Sequence, residues 1–252
     1  MVSTIDLRFI ETASHRIAYL SYAPRRARSV GIVVGHGYSS SKQNLDLLCN
    51  FLASHGFAVY SLDFPGHKLG SSNGTLRGLE DLIDAMSAVV ERAQIEIGAG
   101  PVYVLGHSLG ATTALLTAAA DDSVAGVVSI ATGIGRIAAL ETLSATGATD
   151  LRSAYVDGLS LPQIVSQVEK QLVPALALLA GRPQLYIAAD RDMMVSRASV
   201  QSLYEAAPEP KSLEVVSSDH TSAGDNSRSA VLTWLNALHP KDGPHRAVAS
   251  TV

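Results

Sequence analysis

The order of apolar and polar positions changes twice along the chain. Two alternating runs come first, "IDLRFIE" (5–11) and "HRIAYLSYA" (15–23), which predict a hairpin of half-buried strands. Six short runs of continuous apolar residues follow: "VGIVVGH" (30–36), "FAVYSLD" (57–63), "PVYVLGH" (101–107), "VAGVVSIA" (124–131), "QLYIAAD" (184–190) and "KSLEVVS" (211–217). Strands covered on both faces have this texture. Helical spacing separates them. Leu79, Leu82, Ile83, Met86, Val89 and Val90 recur at i, i+3, i+4 and i+7 within 78–92, and 42–54, 109–120, 196–207 and 222–238 are further helices. Strand alternating with helix predicts an α/β fold, with a mostly parallel, doubly wound sheet behind an N-terminal antiparallel hairpin.

One interval departs from this alternation. About fifty residues separate the strand ending near Ala131 from the one starting near Gln184, more than connections usually hold. Their apolar spacing predicts a helical cap over roughly 136–181. Ile137, Leu140, Leu143, Ile164, Val168, Leu172, Leu176 and Leu179 are available to pack on the body or line a pocket. The tail from 240 to 252 has no period and is expected to be mobile. With 252 residues the chain reads as a single domain.

Composition narrows the function. Net charge is −4, and the basic tract Arg25-Arg26-Ala27-Arg28 reads as a solvated loop, so no nucleic-acid partner is expected. The single cysteine, Cys49, lies in the periodic "LDLLCNFL" and reads as a buried, inert thiol. No apolar stretch of ~20 residues exists and the N-terminus lacks a signal-peptide core, so a cytoplasmic location without a membrane span is expected. The histidines have no metal-ligand spacing.

The chemistry centres on "YVLGHSLGATTALL" (103–116). A strand that turns abruptly into a helix presents the residue at the bend at the sheet's carboxyl edge. The bend crowds its neighbours two positions away, and Gly106 and Gly110 relieve that crowding. Ser108 then points into the crevice where open α/β sheets hold ligands, with a helix N-terminus beside it. A serine hydroxyl needs a base. Of eight histidines, His220 in "VVSSDHTSAGD" follows the last strand and shares the carboxyl edge with Ser108. The loop after "QLYIAA" supplies two carboxylates, Asp190 and Asp192, either of which is placed to orient that histidine. The N–H groups of Leu109 and of Tyr38, in "GHGYSS", are the expected oxyanion donors. His36, Gly37 and His107 flank the serine and are expected to contact substrate.

With these residues the chain resembles the α/β-hydrolase superfamily, and within it small carboxylesterases and monoacylglycerol lipases. The resemblance rests on His36-Gly37-Tyr38, on Gly106 to Gly110, and on the order serine, aspartate, histidine; it covers about residues 5 to 239. It implies the α/β-hydrolase fold and a serine hydrolase that cleaves carboxylic esters of short to medium acyl chains through an acyl-enzyme, without a cofactor, and it allows a homodimer. In the family the acid usually stands three residues past a small residue closing the strand. Ala189 fills that place and points to Asp192, leaving Asp190 to cap the turn. The family also often shows Asp-x-x-Gly-His-Gly-x-Ser after the second parallel strand. "DFPGHKLGSS" matches at Asp63, Gly66 and His67 but carries Lys68 where glycine is usual.

Three rival readings follow from the same residues. "GIGRIA" (133–138) has the spacing of a dinucleotide fingerprint but comes late in the chain. A ligand sensor built on this fold would retain the pocket without turnover. A thioesterase, C–C bond hydrolase or cofactor-free haloperoxidase would use the same three residues.

Overall fold

A computed structural model describes residues 2–136, 145 and 147–240. Strands β1 (Val2–Glu11) and β2 (Arg16–Pro24) form the antiparallel hairpin. Strands β3 (Gly31–Gly35), β4 (Ala58–Leu62), β5 (Val102–His107), β6 (Val124–Ile130), β7 (Gln184–Ala189) and β8 (Lys211–Val216) complete one sheet in the order β1-β2-β4-β3-β5-β6-β7-β8. β2 joins β4 antiparallel, and every later pairing is parallel. Helices α1 (Asp46–Ser54) and α8 (Arg228–Leu238) cover one face. Helices α2 (Leu79–Ile97), α3 (Leu109–Ala120) and α5 (Leu161–Leu176) cover the other.

The period of two decides which side chain serves which layer. Val33 and Val104 pack towards α2 and α3, while Ile32, Val34, Tyr103 and Leu105 pack towards α1 and α8. β3, β5 and β7 are therefore buried at every position, as continuous apolar runs require. The two ends of the sheet depart from the pattern. β8 is an edge strand with every residue half-buried or exposed, so "KSLEVVS" is not covered on both faces. β1 is the opposite edge, and its apolar Ile5, Leu7 and Phe9 stand 45%, 52% and 40% exposed rather than half-buried.

The predicted helix over 42–54 begins as a 3₁₀ turn at Lys42–Leu45, and the one over 222–238 divides at Ser227 into α7 (Ala223–Asn226) and α8. Cys49 is fully buried, and burial pushes its thiol far up. Within the insertion lie α4 (Ala148–Ser153) and α5, followed by β7 after a short 3₁₀ turn; α6 (Arg197–Ala206) then precedes β8. Of the cap's eight apolar residues, Ile164, Val168, Leu172, Leu176 and Leu179 are at most 1% exposed and belong to the core shared with α2 and α3. Ile137, Leu140 and Leu143 lie outside the described residues, as does the tail from 241.

Buried polar contacts fix the loops that meet at the strand ends. Asp63, fully buried at the end of β4, pairs with the Lys42 ammonium and accepts the N–H groups of Lys42 (2.8 Å) and Ser71 (2.7 Å). This joins the loop after β4 to the loop after β3. Asp63→Ala leaves the Lys42 charge buried without its partner, which costs about 3–5 kcal/mol of stability. Urea unfolding reads the loss, and a change below about 1 kcal/mol refutes this role. The Lys68 departure has a place in the same region. Its Nζ donates to the Ala154 carbonyl (3.0 Å) and meets Asp157 at 3.0 Å, while its N–H donates to the Tyr155 carbonyl (3.0 Å). Lysine therefore fastens the insertion to this loop.

Candidate active site

Ser108 stands between β5 and α3 with φ 54° and ψ −114°, a left-handed conformation that side chains rarely adopt. The bend brings backbones into contact. A Cβ on Gly106 would lie 2.0 Å from the Gly110 carbonyl oxygen, and one on Gly110 would lie 2.2 Å from that of Gly35. Both positions require glycine so that α3 can start directly against β3 and β5. The Ser108 N–H donates to the Ile130 carbonyl at 2.8 Å, which holds the bend to β6.

His220 and Asp192 reach this serine from the loops after β8 and β7. His220 Nδ1 donates to Asp192 Oδ2 at 2.7 Å, and Nε2 lies 3.1 Å from Ser108 Oγ. A proton on Nδ1 leaves Nε2 free to accept from the serine hydroxyl. The Asp192 carboxylate is fully buried, and its Oδ1 accepts the N–H groups of Met194 and Val195, each at 2.8 Å. Burial pushes this carboxyl up, but the His220 contact and the two N–H groups outweigh it and hold it below the usual carboxylate range. Asp190 points elsewhere. It is 44% exposed and its Oδ1 accepts the Ser218 N–H at 2.9 Å, bridging the β7 and β8 loops.

The flanking histidines are structural in different ways. His107 lines the cavity, and its Nε2 donates to the His220 carbonyl at 2.7 Å. It thereby holds the backbone of the histidine that faces Ser108. Position 107 precedes the bend, and its ring turns towards the last loop of the sheet, a contact that sequence spacing does not reveal. His36 was expected to touch substrate and does not line the cavity. It is buried, with Nδ1 donating to the Gly37 carbonyl (2.8 Å) and Nε2 accepting the Phe64 N–H (3.0 Å). Both ring nitrogens are thus occupied within the protein.

Burial keeps these rings neutral. His107 is lowered to about 4 by burial and by nearby His220, and His67 to about 3 by burial and by His36. His36 is lowered by burial as well. Below pH ~6.5 the unfolded chain protonates its histidines while the folded one resists, so stability present above pH ~6.5 is lost as pH falls towards 4. The expected loss is about 2 kcal/mol for each of His107 and His67 by pH 5. A urea midpoint at pH 5 equal to that at pH 7 contradicts it.

Gly37, Tyr38, Ser39, Ser40, Asn44, Leu45, His107, Ser108, Arg152, Leu161, Met194, His220 and Thr221 enclose a cavity of ≈ 100 Å³. The loop after β3 supplies five of the thirteen before Leu45 is counted as the sixth, and α4 and α5 supply Arg152 and Leu161. The Tyr38 hydroxyl donates to the Leu159 carbonyl at 2.9 Å and lies 3.3 Å from Ser153 Oγ, so this loop also carries the cap. Leu109 is the first residue of α3, where N–H groups have no intrahelical acceptor.

The glycine turn at 133–136 is filled from within. Glu169 accepts the N–H groups of Gly135 (3.0 Å) and Arg136 (2.9 Å), so a carboxylate of the chain sits where a dinucleotide phosphate would.

Residues 27–171 match the family described as serine aminopeptidase, S33. The chain belongs to this hydrolase family. The match takes in the Tyr38 loop, the Ser108 bend and most of the insertion, and stops before the loops carrying Asp192 and His220. Among curated proteins, the monoglyceride lipase homolog of monkeypox virus is 34% identical over 91 residues, 34% of this chain and 32% of that protein. The match thus spans about a third of either protein. An esterase of Pyrococcus furiosus superposes with TM-score 0.74 at 17% identity, covering 93% of this chain and 91% of its own. A membrane phospholipase A described as a bacterial virulence factor gives 0.70 at 16% identity, covering 94% and 87%. A thioesterase domain from the curacin biosynthetic pathway gives 0.65 at 16% identity, covering 92% and 100%. At these identities the likeness is one of fold, the α/β-hydrolase fold. Among the described residues, no helix of this S33-family chain is long and apolar enough to cross a membrane.

Proposed function

We propose that this chain is a serine hydrolase that cleaves short-chain carboxylic esters through an acyl-enzyme. The observation that carries the reading is His220, hydrogen-bonded at one nitrogen to Asp192 and at the other to Ser108. In the first step His220 Nε2 takes the Ser108 proton as Oγ attacks the acyl carbon. The oxyanion is met by the N–H groups of Leu109 and Tyr38. Collapse expels the alcohol, which takes the proton back from His220, and water repeats the sequence to release the acid.

Size and polarity support a short acyl group. The cavity beside Ser108 measures ≈ 100 Å³, small beside the roughly 300–1,000 Å³ of most ligand pockets. Of the two places open to the five described apolar cap residues, the body or the pocket, they take the core, and Leu161 is the apolar side chain that α5 adds to the lining. Aminopeptidase chemistry, which the family description suggests, requires a carboxylate to hold a free α-ammonium group. Among the described residues, the lining has none.

Initial rates on p-nitrophenyl acetate, butyrate and decanoate, beside an aminoacyl p-nitroanilide, test the reading. The two short esters should exceed the decanoate in kcat/KM by roughly tenfold or more, with the anilide slowest. Fastest turnover of the anilide contradicts it.

A further inference from the structure

We propose that Arg152 selects substrates by charge, so that this site prefers short esters carrying a carboxylate or phosphate group. The inference rests on the ester-hydrolase reading and narrows its substrate class.

The lining carries the argument. Ser39, Ser40, Asn44, Arg152 and Thr221 give it polar walls, and among the described residues Arg152 is its one fixed charge. His107 is neutral near pH 7, because burial and His220 lower it to about 4. The Asp192 carboxylate is fully buried behind His220 and does not line the cavity. Among the described residues the Arg152 guanidinium forms no ion pair; other arginines share this, but Arg152 is the one that lines the cavity. Arg152 is an exposed residue that also lines the cavity, so its guanidinium is open to an anion entering the site from solvent. Its planar array of N–H donors matches the paired oxygens of carboxylate and phosphate alike.

The backbone that carries Arg152 is held in place. Its carbonyl accepts the Tyr155 N–H (3.1 Å), and Ser153 beside it meets the Tyr38 hydroxyl (3.3 Å). Lys68 grips Ala154 and Asp157, while the Asp157 N–H donates to the Gly66 carbonyl at 2.8 Å. The backbone of Arg152 is therefore part of a segment fastened to the loops after β3 and β4. A donor presented on such a segment loses less freedom when it binds.

Two pairs of esters test this, each matched in shape and differing in charge. Monomethyl glutarate is compared with its neutral terminal amide, and 2-acetoxyethyl phosphate with its neutral dimethyl phosphate ester. The first pair places the anion on the acyl side and the second on the alcohol side, so the arms separate the two sources. The protein should favour the anionic member of at least one pair. Arg152→Gln should lower that preference roughly tenfold, mainly through KM, and Arg152→Lys should retain part of it. Added salt should weaken the preference in the unsubstituted protein. Calorimetric binding of monomethyl glutarate to Ser108→Ala protein, with and without Arg152→Gln, reads the same contact without turnover. Failure to hydrolyse any ester would remove the parent reading, while binding weakened roughly tenfold by Arg152→Gln would still uphold the charge selection. The proposal is overturned by equal preference for charged and neutral members, or by Arg152→Gln lowering both equally, as a structural lesion would. Binding that is indifferent to Arg152 overturns it as well.

Discussion

Ser108→Ala is expected to lower ester turnover by roughly 10⁴- to 10⁶-fold and to leave the fold in place. Oγ is the atom that attacks, and among the described residues it is the hydroxyl that meets His220 Nε2. The bend itself survives the change, because its tight contacts belong to Gly106 and Gly110 rather than to the serine side chain. The position is strained, however. A non-glycine residue at φ 54° and ψ −114° costs on the order of 1–3 kcal/mol. Ser108→Gly should therefore lose activity as Ser108→Ala does while gaining about 1 kcal/mol of stability. Rates on one short ester and urea unfolding of all three proteins give the comparison. Full activity of Ser108→Ala, or a Ser108→Gly protein less stable than the parent, counts against this account of the bend.

The second large effect separates two aspartates that stand two residues apart. Asp192→Asn is expected to cut kcat by roughly 10⁴. An amide in that place retains an acceptor for the Met194 and Val195 N–H groups on Oδ1 and turns its NH₂ towards His220. His220 Nδ1 must then accept rather than donate, and its proton moves to the nitrogen that faces Ser108. The serine loses its base while the loop keeps its shape. Asp190→Asn retains a carbonyl oxygen for the Ser218 N–H, and as a partly exposed side chain it should change activity by less than roughly tenfold. Melting curves beside the kinetics separate chemistry from stability. A folded but inactive Asp190→Asn protein with a near-normal Asp192→Asn would reverse the assignment.

Much of this arrangement is legible in the sequence because it obeys short-range rules. The glycines at 106 and 110 and the continuous apolar runs are local signals, and they locate the strand ends and the serine among them. Chain order then puts His220 and Asp192 on loops at the same edge. What escapes is long-range. Nothing near Lys42 announces its pairing with Asp63, twenty-one residues on, because a lysine at a helix start usually faces water. The contact of His107 with the His220 carbonyl joins residues 113 apart. The cap misleads for a related reason. Ile164, Val168, Leu172 and Leu176 share one helical face, and periodicity alone does not say whether that face meets a substrate or the core. Here it meets α2 and α3. The exposed β1 and β8 likewise follow from strand order, which apolar runs do not encode.

The central claim is that Ser108, activated by His220, becomes covalently modified during the reaction. Brief exposure to a fluorophosphonate, followed by proteolysis and mass measurement of the peptides, tests it most directly. The account predicts a single adduct on the peptide containing Ser108, absent from Ser108→Ala and greatly slowed in His220→Ala. An adduct on any other residue, or labelling of Ser108→Ala to the same extent as the parent, would contradict it.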